Sequence, residues 1–270
     1  MGRERIEEAL QCLKSCTRAA AIHCARKEIK KTRAILRLVR CEIRKRTYHY
    51  IADLLREASG HLSGPRDAYV KVKTLRDLRR YFKLQLAQGA FRQFRADLGK
   101  SCTEEMTWFA KRKRVGSVER ALRRVAKKLA GVNIKSKGWK ALAQGVNTAY
   151  RKGHSDYQAA LNNNSPENFH RWRKRAKELW YQVTLLRPIW PEQMDGVASE
   201  LKTLGEHLGD DHDLNLLLEA IQSCLDEGNP RELESLRGLI MERQSQLRSS
   251  ALGIGSRFYA EKPSAFCAEK

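Results

Sequence analysis

Ile22, Ala25, Ile29, Thr32, Leu36 and Val39 follow one another at steps of 3, 4, 3, 4 and 3 residues. That spacing draws one stripe along an α-helix and requires a nearly parallel neighbour to cover it. The stripe returns at an offset of 147 as Phe169, Trp172, Ala176, Leu179, Val183 and Leu186. A chain that carries such a seam twice must pack helix against helix. Helical periodicity places further helices at about 3–18, 44–59, 66–98, 103–114, 117–130, 138–160, 166–187, 192–208, 211–227 and 231–252. No strand-hairpin signal interrupts them. Breaks are expected at Ser63-Gly64-Pro65, Gly131-Val132-Asn133, Asn162 to Pro166 and Gly228-Asn229-Pro230. Ser165 before Pro166, and Asn229 before Pro230, read as helix N-caps with proline at the first helical position.

The first seam helix has a second stripe. His23, Arg26, Lys27, Lys30, Arg33 and Arg37 fall within a sector of roughly 120°. Glu28 is the only acid between residues 21 and 40. Like charges three and four residues apart repel by about 0.2–0.5 kcal/mol per pair, so a stripe of this kind suits a negative ligand. Four of these cations repeat at the same offset, as His170, Arg173, Lys174 and Lys177. Further on, "HLSGPRDAYV" (61–70) matches "HLGDDHDLNL" (207–216) at an offset of 146, pairing His61 with His207, Leu62 with Leu208 and Asp67 with Asp213. Two matched blocks in the same order indicate internal duplication. The expected architecture is all-α: two antiparallel helical bundles facing each other, with about four helices in each. Residues 6–255 form one domain of two halves, about 6–115 and 117–255, and 256–270 is a tail.

Charge narrows the partner. The chain has 53 basic and 31 acidic residues, a net of +22. Residues 190–245 hold 13 acids against 4 bases, a net of −9, which leaves +31 for the rest. A segregated surplus of this size points to nucleic acid, an anionic membrane or a phosphate polymer. The seven cysteines are odd in number and form no C-x-x-C, so reduced cytosolic thiols are expected, with Cys12 and Cys16 as core thiols rather than metal ligands. Neither terminus carries a lipidation signal, and no membrane association is expected.

These motifs resemble a known family. "HCARKEIKKTR" with "SGPRDAYV", and "HRWRKRAKELWY" with "LGDDHDLNLL", are similar to the CHAD proteins, named for a conserved histidine α-helical domain. The likeness spans about residues 6 to 255. It implies a single all-α domain of two antiparallel four-helix bundles packed around a central basic channel, which binds inorganic polyphosphate without catalysis or cofactor. The protein is expected in the cytoplasm, in association with polyphosphate granules. The implied ligands are His23, Arg26, Lys27, Lys30, Arg33, Arg37, Arg66, His170, Arg173, Lys174 and Lys177. Two positions depart from the family pattern. Trp180 stands where the family has the arginine that Arg33 supplies in the first half. His212 stands where the family often has the arginine that Arg66 keeps.

The chemistry fits a polymer of phosphates. Arg26 and Arg173 offer planar forks to two oxygens at once, and the lysines act as compact charges. His23 and His170 read as phosphate donors because they repeat within a cation stripe; packing histidines are the alternative. His61 and His207 read as packing residues at helix ends. Asp67 and Asp213 read as structural carboxylates in a first helical turn, behind Gly64 and Asp210 as N-caps. Two other functions remain open. His207, His212 and Asp213, with Asp210 and Asp211 nearby, would suit a metal-dependent phosphohydrolase acting on polyphosphate. The segment "FAKRKRVGSVERALRRVAKK" (109–128) would suit RNA or DNA, although nucleic acid is the less expected partner because no stacking platform is evident. The oligomeric state is left open.

Overall fold

The computed structural model describes residues 1–14, 19–87, 89–136, 138–225 and 230–261, with the side chains of 112, 113, 225, 230 and 231 outside the description. Cys16, Cys267, the Asn229 cap and most of the 256–270 tail therefore lie outside the described residues. The described residues form helices joined by turns and short connections, with no strand. The helices are α1 (Gly2–Leu13), α2 (Ala19–Leu38), α3 (Lys45–His61), α4 (Ser63–Tyr81), α5 (Arg92–Ala110), α6 (Arg112–Ala130), α7 (Ala143–Asn162), α8 (Pro166–Leu186), α9 (Pro191–Leu225) and α10 (Pro230–Phe258). None of them is long and apolar enough to cross a membrane.

Each apolar seam finds its cover. Ile22, Ala25 and Ile29 of α2 are buried with Ile6 and Leu13 of α1, Leu55 and Ala58 of α3, and Val118, Leu122 and Val125 of α6. Trp172, Leu179 and Val183 of α8 are buried with Tyr150 and Tyr157 of α7, Leu201 and Leu204 of α9, and Ile254 and Phe258 of α10. Residues 117–130 thus join the first set of helices rather than the second. A third apolar cluster, not foreseen from the seams, joins the two sets. It combines Leu75, Leu78, Phe82, Phe91 and Phe94 of the α4–α5 region with Leu217 and Ile221 of α9 and Leu236 and Ile240 of α10.

Several boundaries differ from the sequence reading. The helix expected over 66–98 is broken between α4 and α5. Phe91 takes a left-handed conformation (φ 62°) and Gly89 a positive φ of 86°, which turns the chain while Phe82 and Phe91 plug the third cluster. The break expected near Gly209 is absent, and α9 runs through it for 35 residues. A glycine inside a helix costs about 1 kcal/mol. Continuous burial of Leu204, Leu208, Leu214 and Leu217 outweighs that. The Ser63-Gly64-Pro65 stretch forms the first turn of α4, where the missing amide of Pro65 loses no helical bond. Ser165 caps α8 as expected, accepting from the Asn168 amide at 3.3 Å. Cys12 and Cys24 form a disulfide between α1 and α2 with Cα atoms 6.0 Å apart, in place of the reduced thiols expected.

The two sets of helices come into close backbone contact where α7 begins. A Cβ on Gly145 would stand 2.1 Å from the carbonyl oxygen of Leu38, at the end of α2. Gly145→Ala must push α7 away from α2 and should lower stability by about 1–3 kcal/mol in urea unfolding. Gly196→Ala, which meets nothing within 4 Å, should leave stability equal or up to about 1 kcal/mol higher.

Candidate functional site: a cation-lined cavity between four helices

Helices α2 and α8 cross with their cation stripes turned toward α4 and α9. Between the four lies a cavity of about 350 Å³. His23, Arg26, Lys27 and Lys30 enter it from α2, Arg66 and Asp67 from α4, Arg173, Lys177, Trp180 and Tyr181 from α8, and Glu206, Asp210, His212 and Asp213 from α9. Placement follows from helix period: the seam faces the bundle core, so the residues one position on from Ile22, Ala25 and Ile29 face the crossing.

The cations are crowded and unpaired. Among the described residues none of Arg26, Lys27, Lys30, Arg66, Arg173 and Lys177 forms an ion pair, whereas seventeen such pairs exist elsewhere in the chain. Arg26 donates to the Ser59 carbonyl at 3.2 Å. The Nε of Arg173 is buried without a partner. Enclosure by protein atoms, followed by the charges of Arg173, Arg26, Lys177 and Arg66, pushes the Lys30 amine down to about 7. Its side chain still reaches water through the open concavity. Burial and then Arg173 lower Lys177 as well. Burial followed by neighbouring cations holds His170 at about 4 and His212 at about 3, so both imidazoles are neutral at pH 7 in the empty cavity. His23 is lowered for the same reasons, with Arg66 the largest charge acting on it.

Four carboxylates share the cavity. Asp67, Asp210 and Asp213 have raised proton affinity, first because they are desolvated. Asp67 is the acid that most favours the charge on Arg26, and Asp213 the one that most favours Arg173. This corrects the capping roles read from sequence, because α9 has no helix start at Asp210 and both aspartates face the cavity. Their recurrence beside the repeated cations was the available signal, since a simple cap has no reason to recur next to a charge stripe.

The remaining sequence-predicted ligands sit outside the lining. Arg37 is engaged by Glu178 at 2.7 Å across the α2–α8 crossing, which makes it a strut between helices rather than a free cation. Arg33 and Lys174 are off the lining, each lowered mainly by burial. His170 lies behind His212, with ring centroids 4.3 Å apart. Trp180 lines the cavity in the slot where an arginine was expected, and Lys177 Nζ stands 5.0 Å from its ring centroid. Gly205 leaves the room that Lys177 occupies: a Cβ there would come within 2.9 Å of Lys177 Cε. Asp211 is turned away and paired with Arg248 at 2.6 Å. No group of three or more His, Cys, Asp or Glu side chains converges as a metal site among the described residues.

A family model described as the CHAD domain matches residues 3–222. The chain belongs to the CHAD family. The match takes in α1 to α8 and most of α9, and stops before α10. The crystal structure of the CHAD domain from the plant Ricinus communis superposes with a TM-score of 0.63 at 13% identity, covering 97% of this chain and 88% of that one. At that identity the likeness establishes the CHAD fold, α10 included. No curated protein matches the sequence.

Crowding gives the folded state a definite pH response. Below about pH 7 Lys30 is charged in both folded and unfolded chains, and the fold bears the repulsion. Between about 7 and the ordinary value of 10.5 only the unfolded chain keeps that proton. Stability should therefore climb with pH across this window. Urea unfolding at pH 7 and pH 9 should show the gain in the native protein and a smaller gain in Lys30→Met.

Proposed function

We propose that this CHAD protein binds inorganic polyphosphate non-catalytically in the α2–α8 cavity. The reading rests on one observation: cations from both members of the sequence repeat line a single cavity and lack ion-pair partners. A linear phosphate polymer supplies the missing counter-charges at successive positions. The part of the α2 stripe that lines the cavity, His23 to Lys30, spans roughly 10 Å along the helix. Arg26 and Arg173 would take two oxygens each, while Lys27, Lys30 and Lys177 would act as point charges. The family resemblance supplies the ligand class. In this reading the protein is cytoplasmic, accompanies polyphosphate granules, and leaves the polymer uncut.

Binding an anion beside Lys30 restores its proton, so binding should take up protons near neutral pH and weaken as pH rises past about 7. Counterion release adds a steep loss of affinity with salt.

Titration with polyphosphates of graded length, against ATP and RNA, should show a clear preference for the long polymer. Lys30→Glu combined with Lys177→Glu should abolish polyphosphate binding by isothermal calorimetry. Helix content should be unchanged and the melting temperature equal or higher, because repulsion is relieved. Phosphate release should be absent with or without divalent metal. Undiminished binding by the double variant would assign the polymer to another surface.

A further inference from the structure

Helix α6 carries a second concentration of positive charge that the cavity does not use. Between Lys111 and Lys128 the sequence has nine bases and one acid. Val118, Ala121, Leu122 and Val125 are buried against α1, α2 and α3. Arg120, Arg123, Arg124, Lys127 and Lys128 are all exposed on the other side. They lie within a sector of roughly 140° and along about 12 Å of helix. Among the described residues none of the five is in an ion pair; Arg120 donates only to the Ser117 hydroxyl, at 2.9 Å.

Exposed aromatic rings stand at both ends of this helix. Trp108, at the end of α5, is 41% exposed and lies under the guanidinium of Arg114 in the first turn of α6. Tyr50 of α3 is 46% exposed and lies 6.0 Å from the Lys128 amine in the last turn. Cations interleaved with exposed rings are what unpaired bases use: the cations track the backbone and each ring offers a stacking surface. Inorganic polyphosphate has no use for the rings. A lipid surface would need an apolar face to insert, and the apolar face of α6 is already spent on the bundle core.

We propose that the outer face of α6, with Tyr50 and Trp108, is a binding surface for single-stranded nucleic acid, separate from the cavity. The sequence reading missed the platform because Tyr50 and Trp108 lie in different helices and meet α6 only in the fold.

The test uses a labelled single-stranded RNA of about 20 nucleotides at low salt, read by fluorescence anisotropy. The native protein should bind it, with affinity falling steeply as salt is raised. The triple variant Arg123→Glu, Arg124→Glu, Lys127→Glu should lose about 100-fold or more in RNA affinity while its polyphosphate affinity changes by less than about threefold. These reversals relieve repulsion on an exposed face, so the fold is not at risk. Tyr50→Ala and Trp108→Ala should each weaken RNA about tenfold, with circular dichroism unchanged. RNA binding should persist when Lys30 and Lys177 are both changed to Glu. Absence of RNA binding by the native protein, or full binding by the triple variant, would overturn the proposal. So would anionic phospholipid vesicles or polyphosphate, but not RNA, depending on the α6 arginines.

Discussion

Mutual repulsion among the cations at the α2–α8 crossing is the constraint around which this molecule is arranged. Arg26, Lys27, Lys30, Arg66, Arg173 and Lys177 are gathered into one concavity, with no ion-pair partner among the described residues. Something must hold them there against their own field. Each stripe shares its helix with a fully buried seam, so the force that packs Ile22, Ala25 and Ile29, or Trp172, Leu179 and Val183, also fixes where the charges point. The Arg37–Glu178 pair adds a strut across the crossing beside the cavity. Asp67 and Asp213 moderate the field from the opposite wall without quenching it.

Much of this was legible from residue spacing. The seams predicted which faces of α2 and α8 are buried; of the two stripes, His23, Arg26, Lys27, Lys30, Arg173 and Lys177 line one cavity, while Arg33, Arg37, His170 and Lys174 do not. Local signals failed where tertiary packing overrode them. Gly209 and Asp210 look like a helix boundary, yet leucines on either side keep α9 continuous. Phe91 carries no turn signal, and its left-handed backbone is imposed by the pocket its ring fills. Arg37 belongs to the stripe by phase but meets Glu178 first, because only the fold brings that carboxylate across. The carboxylate wall was hidden by a competing explanation: aspartates near an apparent helix start look like caps.

The two positive regions differ in kind. The cavity is concave and mixed in sign, and burial followed by neighbouring cations lowers the proton affinity of its lysines and histidines. The α6 face is open, with Arg120, Arg123, Arg124, Lys127 and Lys128 all exposed. In the readings proposed above, the first surface takes a slender chain of phosphates and the second takes bases.

The length of α9 has a consequence for entry. Its early turns are embedded with α7, α8 and α10, and its later turns with α4, α5 and α10. An unbroken rod of 35 residues, about 52 Å long, splints both sets of helices together. Swinging them apart like a clamshell would require snapping that rod. Whatever enters the α2–α8 cavity must therefore fit walls whose spacing that rod has already set.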